Sequence, residues 1–189
     1  MALTGLVFTV HASEVAMHDT DRTAETRTRR ALVLDPDPAS LPLVTGALER
    51  RGVATIAAAD GDEGLSRLLD ELLSLDVLVM ALDLPGRDAR ALARLIRKAG
   101  NERDLRLVVV ALRPSPALRL ELRGLGVDAI VDLEDGPEAI AEATLDVVLR
   151  REREEIDPEG RRRPPHPSGF LDALDGAFFA ARYSLTCTS

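Results

Sequence analysis

The chain has no tryptophan, one cysteine and only five other aromatic residues in 189. The lone Cys187 excludes an intrachain disulfide and fits a reducing cytoplasm. The aromatics are Phe8, Phe170, Phe178, Phe179 and Tyr183, so the whole stretch from Arg30 to Arg153 must build its core from aliphatic side chains. No apolar run approaches the roughly 20 residues that span a bilayer, so no stable membrane insertion is expected. The short apolar start "MALTGLVFTV" lacks the preceding basic residues of a secretory signal. Positive charge is also in deficit. With a net charge of −8, general nucleic-acid binding is disfavoured, because that draws on a surplus of Lys and Arg. There is no glycine-rich phosphate loop, since "DGDEG" (60–64) has the wrong spacing and reads as a turn entering a helix. His11, His18 and His166 lie in flanking segments, away from any recognisable catalytic or metal spacing.

What is present is an ordered alternation. Residues 1–29 are rich in Thr, Asp, Arg and Ala without a sustained period and read as a disordered lead-in. From residue 30 to 154 short Val/Leu/Ile runs alternate with segments of helical spacing. The runs "ALVLD" (31–35), "VATIAAA" (53–59), "DVLVMAL" (76–82), "LRLVVVAL" (105–112) and "VDAIVDL" (127–133) read as strands. Helices are expected over 38–52, 60–75, 87–100, 115–126 and 136–154, with Pro137 suited to the first turn of the last. Strands that are continuously apolar are buried on both faces, so the pattern predicts an α/β domain with a parallel sheet between two helical layers. Such domains place their reactive groups at the carboxyl ends of the strands. The central strands should supply the core through Val33, Leu34, Leu78, Val79, Val108, Val109 and Ile130.

Beyond this domain, "EIDPEGRRRPPHP" (155–167) is a Pro/Arg-rich linker. Residues 168–189 carry four of the five aromatics, with Phe170, Leu171, Leu174 and Phe178 on one face at helical spacing and Asp172, Asp175 and Arg182 opposite. That makes an amphipathic helix on a tether, able to bind a protein partner or to fold back on its own domain.

Residues 31–153 resemble the receiver domain of bacterial response regulators. "ALVLDPDP" is similar to the family's first strand and acidic turn, "DVLVMALDLPGRDA" to its third strand and following turn, and "GVDAIVDLED" to its fifth strand and loop. The resemblance implies a flavodoxin-like (βα)5 fold with strand order 2-1-3-4-5. It also implies an active site of five parts: two adjacent acids for Mg²⁺, a phosphoacceptor Asp, a hydroxyl and a Lys. The metal and the Lys neutralise phosphate charge and the hydroxyl holds a phosphate oxygen.

Here most of those parts are replaced. Asp35 keeps the first acid, but Pro36 takes the second position and Asp37 comes one residue late. The phosphoacceptor position is Ala81, the hydroxyl position Ala111, the Lys position Leu133, and the Pro after it Glu134. Asp83 lies two residues beyond Ala81, in the turn. Asp35, Asp37 and Asp83 remain as acids that could hold Mg²⁺ weakly. Read as structural residues instead, Asp37 caps the first helix and Asp83 and Asp88 are turn and cap acids. The expectation is a non-enzymatic pseudo-receiver that needs no cofactor and works in bacterial signalling through protein partners. Its interaction surfaces would be the C-terminal helix and the face over 115–152, which by resemblance also allows a homodimer. Two rival readings stand beside it. One is an atypical regulator switched by metal, phosphate or ligand at an altered acidic pocket, and the other a small flavodoxin-like enzyme or nucleotide binder.

Overall fold

The structure, a computed structural model, describes residues 28–71, 74–99 and 105–155. The linker and the amphipathic segment with Phe170, Leu171, Leu174 and Phe178 lie outside the described residues, as do all three histidines and Cys187.

Five strands and five helices alternate without exception. They are β1 (Arg29–Leu34), α1 (Ser40–Glu49), β2 (Val53–Ala58), α2 (Gly61–Glu71), β3 (Val77–Ala81), α3 (Ala89–Lys98), β4 (Arg106–Ala111), α4 (Pro116–Gly124), β5 (Ala129–Asp132) and α5 (Gly136–Glu155). A single 3-10 turn, Leu133–Asp135, joins β5 to α5. The sheet is parallel throughout, in the order β2-β1-β3-β4-β5. The expected fold class and strand order are both observed, and each expected element is present with its ends shifted by a few residues; β1 begins at Arg29, within the segment 1–29 expected to be a disordered lead-in.

The strands sort their side chains by size as well as by face. Leu32, Leu34, Leu78, Met80, Leu107 and Val109 point to the layer formed by α2, α3 and α4. Their neighbours Ala31, Val33, Val77, Val79, Val108 and Val110 point to the layer of α1 and α5. Successive residues of a strand face opposite sides. The run "LVVVA" (107–111) of β4 therefore fills two cores at once, which is why it shows no polar interruption. The larger residues on the first face meet Leu65, Leu68, Leu92, Ile96 and Leu122 of the helices. The small face receives Leu48, Ile140, Val147 and Val148. Of the expected core residues, Val33, Leu34, Leu78, Val79, Val108 and Val109 are buried. Ile130 is half-buried, because β5 is an edge strand.

Two glycines fix how α2 sits near the strand ends. A Cβ on Gly61 would lie 1.9 Å from the Arg87 carbonyl oxygen. The Gly61 N–H donates to the Pro85 carbonyl at 3.0 Å. Only glycine allows this approach, so the start of α2 is pressed onto the turn between β3 and α3. Gly86 in that turn has φ +73°, in the left-handed region.

Candidate functional site at the carboxyl edge of the sheet

The carboxyl ends of β1, β3, β4 and β5 form one row. Ala81 pairs with Val110, and Ala111 with Asp132. One residue beyond the Leu34–Met80 pair, Asp35 follows β1 beside Ala81. Ala81 and Ala111, which end β3 and β4, and Leu133, which follows β5, all lie along this edge. Ala111 is buried and Leu133 is exposed.

The acids near this row are occupied with backbone. The Asp35 carboxylate accepts the Asp37 N–H at 3.0 Å, and the Asp37 carboxylate accepts the Ala39 N–H at 2.9 Å. Both are Asx turns, in which a short acid bonds the N–H two residues on. Asp37 was expected to cap the first helix, and this needs correction. The N-cap position of α1 is Ala39, with no side-chain cap, and Asp37 closes the turn before it. The cause is Pro36 and Pro38, which make the segment turn before it can become helical. The Asp37 carbonyl still accepts the Leu41 N–H at 3.0 Å. Asp88 does act as the N-cap of α3, accepting the Ala91 N–H at 2.7 Å.

Asp83 is exposed in the bend after β3, while the next residue, Leu84, is buried. The turn is held on α2 by the Gly61–Pro85 bond and by Arg87, whose Nε lies 3.2 Å from the Asp62 carboxylate. No group of three or more His, Cys, Asp or Glu side chains able to hold a metal ion occurs among the described residues. Asp35, Asp37 and Asp83 are therefore not gathered into the three-carboxylate site considered from the sequence. Asp83 projects in the turn, and the other two carboxylates are engaged with backbone.

One cluster at this edge was not anticipated. Arg113, just after β4, has φ +44°, a conformation that costs a non-glycine residue about 1 kcal/mol. Its N–H donates to Asp132 at 3.0 Å, and its guanidinium grips both oxygens of Glu134 at 2.5–2.9 Å. Asp132 also accepts the Glu134 N–H at 3.1 Å. These two backbone donors hold the Asp132 carboxyl below its ordinary range, while the Glu134 contact raises Arg113. Together they tie the loop after β4 to the loop after β5. The sequence signal for it was an Arg two residues past one strand and acids flanking the end of the next. Beside this cluster Leu112 and Leu133 are 64% and 43% exposed and form an apolar rim.

No protein-family model matches the chain. Among curated proteins it is 28% identical over 110 residues to the sensor histidine kinase GacS of Pseudomonas protegens. That alignment takes in 58% of this chain and 12% of the kinase, so the chain spans about an eighth of that relative's length. Solved structures resemble it over the same domain. A CheY-like response regulator receiver domain protein from Methanospirillum hungatei matches with a TM-score of 0.59 at 22% identity, over 67% of this chain and 98% of that one. The receiver domain of the response regulator NarL from Mycobacterium tuberculosis matches at 0.58 and 23%, over 65% and 98%. A receiver domain protein from Clostridium thermocellum matches at 0.60 and 17%, over 67% and 98%. With its strand order, its (βα)5 alternation and these superpositions, the described domain has the CheY-like, flavodoxin-like fold of response-regulator receiver domains.

Proposed function

We propose that this chain is a pseudo-receiver, a phosphorylation-independent protein-interaction module of bacterial two-component signalling. One observation carries the reading. The receiver fold is retained in full, while the converging positions 81, 111 and 133 hold two alanines and a leucine. An alanine has no oxygen to accept a phosphoryl group. Nothing at 111 or 133 would stabilise the charge of that transfer, which is where such catalysis derives its rate. The likeness to a sensor histidine kinase places the sequence near two-component proteins and supports the signalling context.

Without an enzymatic step, the output must come from surfaces. The face over 115–152 exposes Leu120, and the adjoining rim exposes Leu112 and Leu133. Leucines this open are candidates for contact with a protein partner. The amphipathic segment with Phe170, Leu171, Leu174 and Phe178 is the second candidate. No helix among the described residues is long and apolar enough to cross a membrane.

The test is incubation of the chain with acetyl phosphate and Mg²⁺, read by intact mass. The expected result is no phosphorylated species under conditions that modify an ordinary receiver. A phosphorylated species that disappears on Asp83→Ala or Asp35→Ala would overturn the reading in favour of a regulator with an altered acidic pocket. For the surfaces, removal of residues 156–189 should leave the receiver domain folded while abolishing its complex with its partner in cells. A complex that survives the truncation but is lost on Leu120→Asp would assign the contact to the 115–152 face instead.

A further inference from the structure

At the opposite edge of the sheet, α3 and α4 end side by side around an open cleft of about 700 Å³. Its walls include Arg94, Arg97, Lys98, Arg123, Leu125 and Val127. One of these cations is part of the wall itself. Arg97 donates to the Gly126 carbonyl at 2.6 and 3.1 Å, to the Leu105 carbonyl at 3.1 Å, and to Asp128 at 3.0 Å. The loop lies flat against it, and a Cβ on Gly126 would come within 2.7 Å of the Arg97 Nε. Asp128 is the one carboxylate that lines the cleft among the described residues, and it is shared with Arg106 at 2.9 Å.

The other three cations have no such partner. Arg94 and Lys98 stand one turn apart on α3, and Arg123 stands on α4; all three are exposed. None of the three side chains makes a hydrogen bond or ion pair among the described residues. Most other described arginines face carboxylates, as Arg29 does Glu152, Arg50 Glu138, Arg67 Glu63 and Arg113 Glu134, while Arg119 donates to backbone carbonyls. In a chain of net charge −8, positive charge has been left uncompensated at one concave place. The negative ends of two helix dipoles explain why cations sit here. They leave the outward N–H donors of the three side chains unfilled. Lys98 is also the only lysine of the chain, among 23 arginines.

We infer that this cleft binds a small molecule carrying two or more linked phosphate groups. Arg94 and Lys98, about 5–6 Å apart as helix neighbours four residues apart, would hold one phosphate from α3. Arg123 would hold the next from α4. Charge-assisted bonds of this kind suit Arg and Lys equally, Arg as a fork and Lys as a point charge. The cleft has the volume of ordinary small-molecule sites. Leu125 and Val127 give it an apolar wall for whatever the phosphates are attached to. The site is remote from the carboxyl edge and does not rest on the pseudo-receiver reading.

The single lysine makes the test direct. The full chain is treated with a limiting amine-acylating reagent, with and without metal-free pyrophosphate or ADP, and acylation of Lys98 is read by peptide mass spectrometry against the N-terminal amine. Binding is measured in parallel by calorimetry. Millimolar pyrophosphate and ADP should slow acylation of Lys98 severalfold and leave the N-terminus unchanged. The variant R94Q/R123Q should lose that protection and weaken binding at least tenfold, with an unaltered melting temperature, while R150Q should bind as the parent does. ADP protecting at lower concentration than pyrophosphate would identify a nucleotide that uses the Leu125–Val127 wall. Equal protection would identify the phosphate chain alone as the ligand. The inference is overturned if neither anion protects Lys98, or if R94Q/R123Q binds as tightly as the parent. It is also overturned if a polyglutamate peptide protects where pyrophosphate does not, which would make the cleft a docking surface for an acidic segment.

Discussion

The two edges of the sheet use charge in opposite ways. At the amino edge two acids are drawn inward. Asp76 is 7% exposed, accepts the Arg30 N–H at 3.0 Å and lies 3.7 Å from Arg151 of α5. Asp128 binds Arg97 and Arg106 and also accepts the Leu107 N–H at 2.8 Å. Each acid thus fastens a helix or an arginine to a strand start. At the carboxyl edge the ion pairs lie outside. Arg113 and Glu134 have side chains 76% and 49% exposed, and the rest of the row is Ala81, Ala111 and Leu133. Buried pairs are costly to break on one side only, whereas exposed pairs contribute little. The amino edge is therefore fastened by partly buried pairs, whereas the carboxyl edge is tied by the exposed cluster of Arg113, Asp132 and Glu134.

The largest effect should come from Asp128→Ala. It removes the carboxylate shared by two arginines whose side chains are 13% and 15% exposed, and the acceptor for the Leu107 N–H. The expected cost is about 3 kcal/mol, as for a buried pair that loses one partner, read as a lower urea midpoint with an unchanged slope. Asp128→Asn, which can still accept hydrogen bonds, should lose less. A cost under about 1 kcal/mol for the alanine variant would erase the contrast between the edges.

Acid should act next. Asp132, Glu63 and Glu138 are all held below their ordinary carboxyl values of 3.8, 4.5 and 4.5. Backbone N–H donors act on Asp132, Arg67 and the Ala59 N–H on Glu63, and Arg51 and Arg50 on Glu138. A carboxyl depressed by folding stabilises the native state fully above its unfolded pKa, and that contribution fades as pH falls through the folded value. Stability should be flat from neutrality to about pH 5 and fall below it. The variant Asp132→Asn should show a shallower acid limb in the same titration.

Smaller still is the carboxyl-edge latch. Arg113→Gly relieves a left-handed arginine but loses an exposed ion pair, two effects of about 1 kcal/mol or less and of opposite sign. Unfolding free energy should change by under about 1 kcal/mol, and the parent's small advantage, if any, should vanish in high salt. The smallest expected effect is Ala81→Asp. Restoring that one carboxylate should yield no phosphorylated species with acetyl phosphate, because Ala111 and Leu133 still provide nothing for the developing charge. Adding Ala111→Thr and Leu133→Lys should be required before any appears.

Much of the fold was legible because parallel strands buried on both faces and helices punctuated by glycine and proline leave plain traces. The run 105–112 and the stop at Gly52, with φ +76°, are such traces. The site was legible in part. The strand ends beside Ala81 and Ala111 fell near where the periodicity put them, and Asp88 was correctly read as a cap. Asp37 was misplaced because two prolines moved the helix start beyond it. The triad of Arg113, Asp132 and Glu134 was missed because its members come from two loops about 20 residues apart, brought together only by the pairing of β4 with β5.

The sequence by itself determined the alternation of strands and helices, the aliphatic core without aromatics, and which side chains stand at the strand ends. Those depend on local periodicity and on which atoms a side chain has. Tertiary structure alone decided which charges meet. It decided that Asp128 binds Arg97 from 31 residues away, that Arg29 finds Glu152 from 123 away, and that Arg94, Lys98 and Arg123 face one cleft without a carboxylate of their own. Coulomb attraction has no sequence period. It falls with distance in space, and distance between remote residues is set only when the sheet order is closed.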